Sequence, residues 1–173
     1  MKNIDIAVRI YTIRELEKSI LEEPIRLLRM KKINELMNAR ENLRLQFYTP
    51  LITDKEIRFM LAKESFEFIQ FQENLITKFG SSNAEFCTCL QNILDTCKQC
   101  EFMDNKLTIK QANKTLTNIS ERLKKSSNIM KYYRLRNVKK CKNILDQYTK
   151  ENIENKSRSI GCCTDLDYDQ IYK

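Results

Sequence analysis

The sequence predicts an all-α protein: an antiparallel bundle of about five helices, with a long basic C-terminal helix and a short flexible acidic tail. Three observations lead there. The 173 residues include Gly 2 and Pro 2, against average usage of about 7% and 5%. A backbone with so few punctuation points favours long helices over a turn-rich β fold. Apolar residues recur at steps of three and four along most of the chain, as on one face of a helix. Three capping boxes, Thr53 with Glu56, Ser82 with Glu85 and Thr108 with Gln111, each precede such a run. There the first side chain accepts from an orphan amide and the fourth reaches back. The length fits one domain, read as residues 1–157, with 158–173 as the tail.

The first segment, Ile4 to Glu22, places Ile6, Ile10, Ile13, Leu16 or Glu17, and Ile20 at helical spacing. Its opening Ile4–Ile10 also alternates with period two, so the first turns are open to a strand. Pro24 suits the first turn of the next helix, where its missing N–H costs nothing. That helix, Ile25 to Tyr48, has an apolar set of Leu28, Ile33, Leu36, Met37, Leu43 and Phe47. Its opposite face is read as Arg26, Arg29, Lys32, Arg40 and Arg44. Thr49-Pro50 ends it, because a residue before proline avoids the α region.

The third helix runs from the Thr53 box to Phe79, with Gly80 as its stop. Five of the eight phenylalanines fall here: Phe59, Phe66, Phe68, Phe71 and Phe79. Rings at that density mark the centre of the core. The expected core is Phe66, Phe68, Ile69, Phe71, Leu75, Leu90, Ile93, Leu116, Ile119 and Leu123. The helix after Ser82 gathers Phe86, Leu90, Ile93 and Cys97 on one face.

The last helical stretch carries a heptad-like seam, Ile109, Ala112, Leu116, Ile119, Leu123, Ser126, Met130 and Tyr133. It slips to Val138, Cys141, Leu145 and Tyr148, as at a stutter. Ser126-Ser127-Asn128 is the place for a bend. Unbroken, the helix would span about 40 residues, or about 60 Å at 1.5 Å per residue.

Charge is concentrated in the same stretch. The chain's net charge is +8, yet residues 108–150 hold twelve basic residues against two acidic ones. Between Arg122 and Lys142 stand nine cations and no acid: Arg122, Lys124, Lys125, Lys131, Arg134, Arg136, Lys139, Lys140 and Lys142. Like charges on one helix repel, and an anionic partner removes that cost. Lysine and arginine bind phosphates by displacing condensed counterions, and Tyr132 offers a ring for an unpaired base. RNA is therefore the expected partner ahead of DNA, with Arg26, Arg29, Lys32, Arg40 and Arg44 as an auxiliary set. An acidic protein surface or peripheral contact with an anionic membrane uses the same charge. The alternative from another class is a scaffold subunit whose helix 109–148 pairs with a partner helix, in a homo- or hetero-oligomer.

Catalysis is not expected. The absence of histidine removes the usual neutral-pH general base and the commonest metal ligand. No glycine-rich phosphate loop is present, and no cofactor motif. Cys87, Cys89, Cys97 and Cys100 imitate a zinc pattern, but on one helix Cys87 and Cys89 point in opposite directions, so no metal is expected. Seven cysteines, an odd number, and the lack of an apolar leader lead to an intracellular expectation, cytoplasmic or nuclear, with reduced thiols. No apolar run approaches a membrane span. The Lys, Ile and Asn bias is the signature of AT-rich coding, which with the size and helicity suggests a small viral accessory protein. In the tail, Tyr168-Asp-Gln-Ile171 fits a loose sorting or phosphotyrosine pattern, and Cys162-Cys163 a possible acylation site.

Overall fold

The computed structural model describes residues 2–47, 54–79, 82–99 and 106–157, with side chains described over 4–46, 54–79, 82–99 and 106–147. All regular structure among them is helical. The helices are α1 (Lys2–Glu22), α2 (Arg26–Phe47), α3 (Lys55–Lys78), α4 (Asn83–Gln99), α5 (Lys106–Lys124) and α6 (Lys131–Ser157). There are six where the sequence suggested about five, because the 109–148 stretch breaks at its serines. The tail motifs at 158–173, Gly80, Thr49-Pro50 and Cys100 lie outside the described residues. The chain forms two compact units, divided within α3 between Glu64 and Ser65.

In the first unit α1 is helical from Lys2, so the period-two opening does not form a strand. Ile6, Ile10, Ile13, Glu17 and Ile20 are its buried residues, and Leu16 is only partly covered. Four steps separate Ile13 from Glu17, which puts the carboxylate, not the leucine, on the covered stripe. Pro24 lies in the linker, one residue before the Ile25 carbonyl that accepts from Arg29 N at 2.9 Å. Arg29 Nη1 donates to the Glu23 carbonyl at 3.0 Å, and Lys32 Nζ donates to Ser19 Oγ at 2.9 Å and pairs with Glu23 at 3.4 Å. These bonds fasten the start of α2 to the end of α1.

Arg40 is not on an outer face. Leu36, Arg40 and Leu43 follow at i, i+4 and i+7 and are buried together, while Leu28 is exposed. Arg40 meets Glu64 of α3 in a forked pair, Nε to Oε1 at 2.7 Å and Nη2 to Oε2 at 3.2 Å. The two side chains are only 8% and 1% exposed.

Of the three capping boxes one sits as expected and one differently, while Thr53 of the other lies outside the described residues. Asp54 caps the start of α3: its Oδ1 accepts from Glu56 N at 2.9 Å and Ile57 N at 3.2 Å. Ser82 Oγ accepts from Glu85 N at 3.2 Å, as the box requires. Thr108 lies inside the first turn of α5 and is buried, because that helix starts two residues earlier.

In the second unit the core joins Ile69 of α3 to Phe86, Leu90, Ile93, Leu94 and Cys97 of α4. It continues through Ile109, Ala112, Leu116, Ile119 and Leu123 of α5 to Val138, Cys141 and Leu145 of α6. Phe68 and Phe71 are buried with ring centroids 6.1 Å apart; Phe66 is half-buried and Phe59 exposed. Asn92 Nδ2 donates to Gln72 Oε1 at 3.4 Å, and Asn118 to both Glu73 oxygens at 3.4 Å.

The chain should respond unequally to loss of one and of both members of the buried ion pair. Arg40→Ala takes the guanidinium from a buried carboxylate and is expected to cost about 3–5 kcal/mol. Arg40→Met with Glu64→Leu should be near neutral, since it also removes the desolvated charge. Urea denaturation of parent, single and double variants measures the difference.

Candidate nucleic-acid interface on the α5–α6 hairpin

A short run of self-capping bonds turns α5 back into α6. Ser126 N donates to the Leu123 carbonyl at 3.1 Å as α5 ends. Ser126 Oγ accepts from Asn128 N at 3.1 Å, and Asn128 Oδ1 accepts from Met130 N at 2.8 Å. Asn128 is thus the cap of α6, a position that favours short polar side chains. Lys131 Nζ reaches back to the Lys124 carbonyl at 2.8 Å and satisfies an acceptor that the end of α5 leaves open. Farther along, Lys142 Nζ donates to Thr117 Oγ1 at 3.2 Å. The pairs 124 with 131 and 117 with 142 show that the two helices run antiparallel.

Against α4 the direction is parallel, as expected when α5 lies between them in sequence. Arg134 Nε donates to Asn83 Oδ1 at 2.9 Å, Asn137 Nδ2 meets Cys87 Sγ at 3.5 Å, and Cys141 Sγ meets the Leu90 carbonyl at 3.9 Å. The Arg134 guanidinium also lies over the Phe86 ring, 5.0 Å from its centroid. Arg134 therefore fastens α6 to the start of α4.

These contacts sort the nine cations. Lys131, Arg134 and Lys142 are engaged in holding helices together, and Lys124 pairs with Glu121 at 3.5 Å on the surface. Arg122, Lys125, Arg136, Lys139 and Lys140 are exposed. Val138, Cys141 and Leu145 fix the inward direction of α6. At 100° per residue the opposite direction is held by Tyr132, Arg136, Lys139, Lys140 and Asn143, at i, i+4, i+7, i+8 and i+11. Tyr132 is 76% exposed, with the Lys131 ammonium 5.9 Å from its ring centroid. Ile129 at the turn is 93% exposed. Asp146 is exposed on α6 one turn beyond Lys142 and ends the acid-free run.

Sequence reading missed two members of this surface. Lys110 and Lys114 are exposed on α5, seven and three residues before Thr117 on the same helical face. The Thr117–Lys142 bond brings that face beside α6. A sequence signal existed, since 110, 114 and 117 share one stripe, but the hairpin had to be known to use it.

The auxiliary set on α2 is largely occupied. Arg29, Lys32 and Arg40 make the bonds described above. Arg44 is paired with Glu41 through both ends of its guanidinium, and this hydrogen bonding holds the Glu41 carboxyl below its usual range. Arg26 is exposed.

The cysteines pack as apolar residues. Cys89, Cys97 and Cys141 are buried and Cys87 is half-buried. Among the described residues no group of three or more Cys, Asp or Glu gathers as metal ligands would. Burial pushes the Cys89 and Cys141 thiols up to about 12. Nor is any described helix long and apolar enough to cross a membrane.

No family model, no curated protein and no solved structure matches the chain.

Two outcomes follow from these contacts. Arg134→Ala should lower stability by about 1–2 kcal/mol through the lost charged hydrogen bond, read as a lower denaturation midpoint. The raised thiols act in the alkaline range. Their contribution is complete below the free thiol's pKa near 9 and is lost as pH rises towards 12, because the unfolded chain ionises first. Each thiol adds a fall of at most about 1.4 kcal/mol per pH unit. Urea midpoints from pH 8 to 11 should fall less steeply for Cys89→Ala with Cys141→Ala than for the parent.

Proposed function

We propose that this chain is a non-enzymatic nucleic-acid-binding protein that holds a polyanion, RNA first, on the basic outer face of the α5–α6 hairpin. The observation that carries the reading is the outward arc of α6, where Arg136, Lys139 and Lys140 stand exposed beside Tyr132 with no acid between Arg122 and Lys142. Arg122 and Lys125 extend it around the turn, and Lys110 and Lys114 line the neighbouring helix. A polyphosphate backbone satisfies such a row without sequence preference. Among the described contacts none of these cations is in an ion pair; Glu121, four residues after Thr117 on the α5 stripe, pairs with Lys124.

Burial of the seam favours this reading over a partner helix. Ile109, Ala112, Leu116, Ile119, Leu123, Val138, Cys141 and Leu145 would line the strip that a partner helix needs. They are instead covered within the chain.

Binding should weaken with salt in proportion to the phosphates contacted. With five cations engaged, Arg122, Lys125, Arg136, Lys139 and Lys140, the slope of log K against log[salt] for a single strand should be about −3.5, from ~0.7 per contact. Arg136→Ala, Lys139→Ala and Lys140→Ala together should flatten that slope by about 2. Ala is a good helix former, so the variant's helicity should be retained. Fluorescence anisotropy over a salt series measures both. A parent that binds no RNA at low salt, or a triple variant with an unchanged slope, would overturn the proposal.

A further inference from the structure

Charge alone favours the more densely charged duplex over a single strand; exposed aromatic surface favours the strand with unpaired bases. Tyr132 stands one turn before Arg136 on the same outward stripe, and Tyr133 beside it is 44% exposed. Ile129, at the turn, adds an uncovered apolar side chain. Lys131 lies against the Tyr132 ring, and Arg122, Lys124 and Lys125 are exposed at the end of α5. This tip of the hairpin is therefore an apolar platform at one end of a basic row.

We infer that the site takes single-stranded RNA in preference to duplex, with an unpaired base stacked on Tyr132 and the following phosphates on Arg136, Lys139 and Lys140. The inference rests on the polyanion reading and specifies its ligand. In a duplex the base faces are stacked on one another, and the A-form major groove is too deep and narrow for side chains to read. Tyr132 then gains nothing from a duplex. A single strand exposes base faces and bends to follow a convex helix. The row from Tyr132 to Asn143 covers three turns, about 16 Å at 1.5 Å per residue, enough for a few nucleotides. Lys131, 5.9 Å from the Tyr132 ring centroid, brings a cation to the platform itself. Stacking is tolerant of base identity because every base has a π-face, so the preference is for strandedness and not for sequence.

The test uses the full chain and three probes at one low salt concentration. They are a ten-nucleotide RNA, the same RNA annealed to its complement, and the same strand with every base removed. Each is titrated by anisotropy with the parent, Tyr132→Phe and Tyr132→Ala. The parent should bind the intact strand most tightly. Tyr132→Ala should weaken that complex by ~5- to 150-fold, the range for loss of one stacked base. Tyr132→Phe keeps the ring and should stay within about twofold of the parent. The duplex and the abasic strand should bind all three proteins alike.

Equal parent affinity for the three probes, with no effect of Tyr132→Ala, would overturn the single-strand inference and leave the polyanion reading standing. Absence of binding to all three would overturn both. Vesicles containing phosphatidylserine form a fourth arm. Vesicle binding lost in Tyr132→Ala, with RNA binding unchanged, would overturn the inference and assign the tip to a membrane surface.

Discussion

The reversal at Ser126–Asn128 is the constraint on which the second unit depends. Had the helix continued, the seam from Ile109 to Leu145 would have run down one rod with its apolar side open to water. Breaking it lets Leu116, Ile119 and Leu123 share a core with Val138, Cys141 and Leu145. The break is built from local bonds. Ser126 and Asn128 cap the two helix ends, and Lys131 returns to the carbonyl of Lys124. Helix formation is cooperative and a gap in it is costly, so the burial gained on closing the hairpin has to exceed the loss of those turns.

Closing the hairpin also determines what faces water. Once Val138, Cys141 and Leu145 are turned inward, the helical period obliges Arg136, Lys139 and Lys140 to point outward. The polar character of the outer face is thus a consequence of packing the inner one. Arg134 precedes Val138 by four residues and so lies on the inward stripe, and its guanidinium serves Asn83 and the Phe86 ring instead of solvent. A charge's position in the helical period, more than its membership of a basic run, separates a fastener from a contact.

What could be read from sequence was local, and what could not depended on distant partners. Ser82 caps α4 because the box needs only four consecutive residues. The bend at Ser126-Ser127-Asn128 was legible for the same reason. At α3 the Asp54 carboxylate accepts two amides, a cap that the sequence reading did not name. Thr108 had the spacing of a box, but α5 had begun before it. Arg40 was assigned to a solvent face by its charge although its four-residue step from Leu36 placed it on the buried stripe. The partner that makes the burial tolerable, Glu64, is 24 residues away. The contribution of Lys110 and Lys114 to the basic surface likewise waits on the Thr117–Lys142 bond. Of the proposed site, the sequence revealed the run of charge and the tyrosines, but not which cations the fold would use itself.

The two basic helices show why net charge is a poor guide to a binding face. Helix α2 carries cations at 26, 29, 31, 32, 40 and 44, yet most of them meet an oxygen of the chain itself: Glu23, Ser19, Glu64 or Glu41. A cation already bonded to a carboxylate has little to offer a phosphate, because taking it away leaves the carboxylate behind. Around the turn of the hairpin and along α6 the supply of acids is different. Glu121 and Asp146 are the only carboxylates between Lys106 and Gln147, and just one of them is paired with a lysine, Lys124, among the described contacts. Arg122, Lys125, Arg136, Lys139 and Lys140 are exposed like charges along this stretch, and none is in an ion pair among the described contacts. A fold gains no stability from such a row. On the function proposed above, the bound polyanion supplies the negative charge that this row lacks.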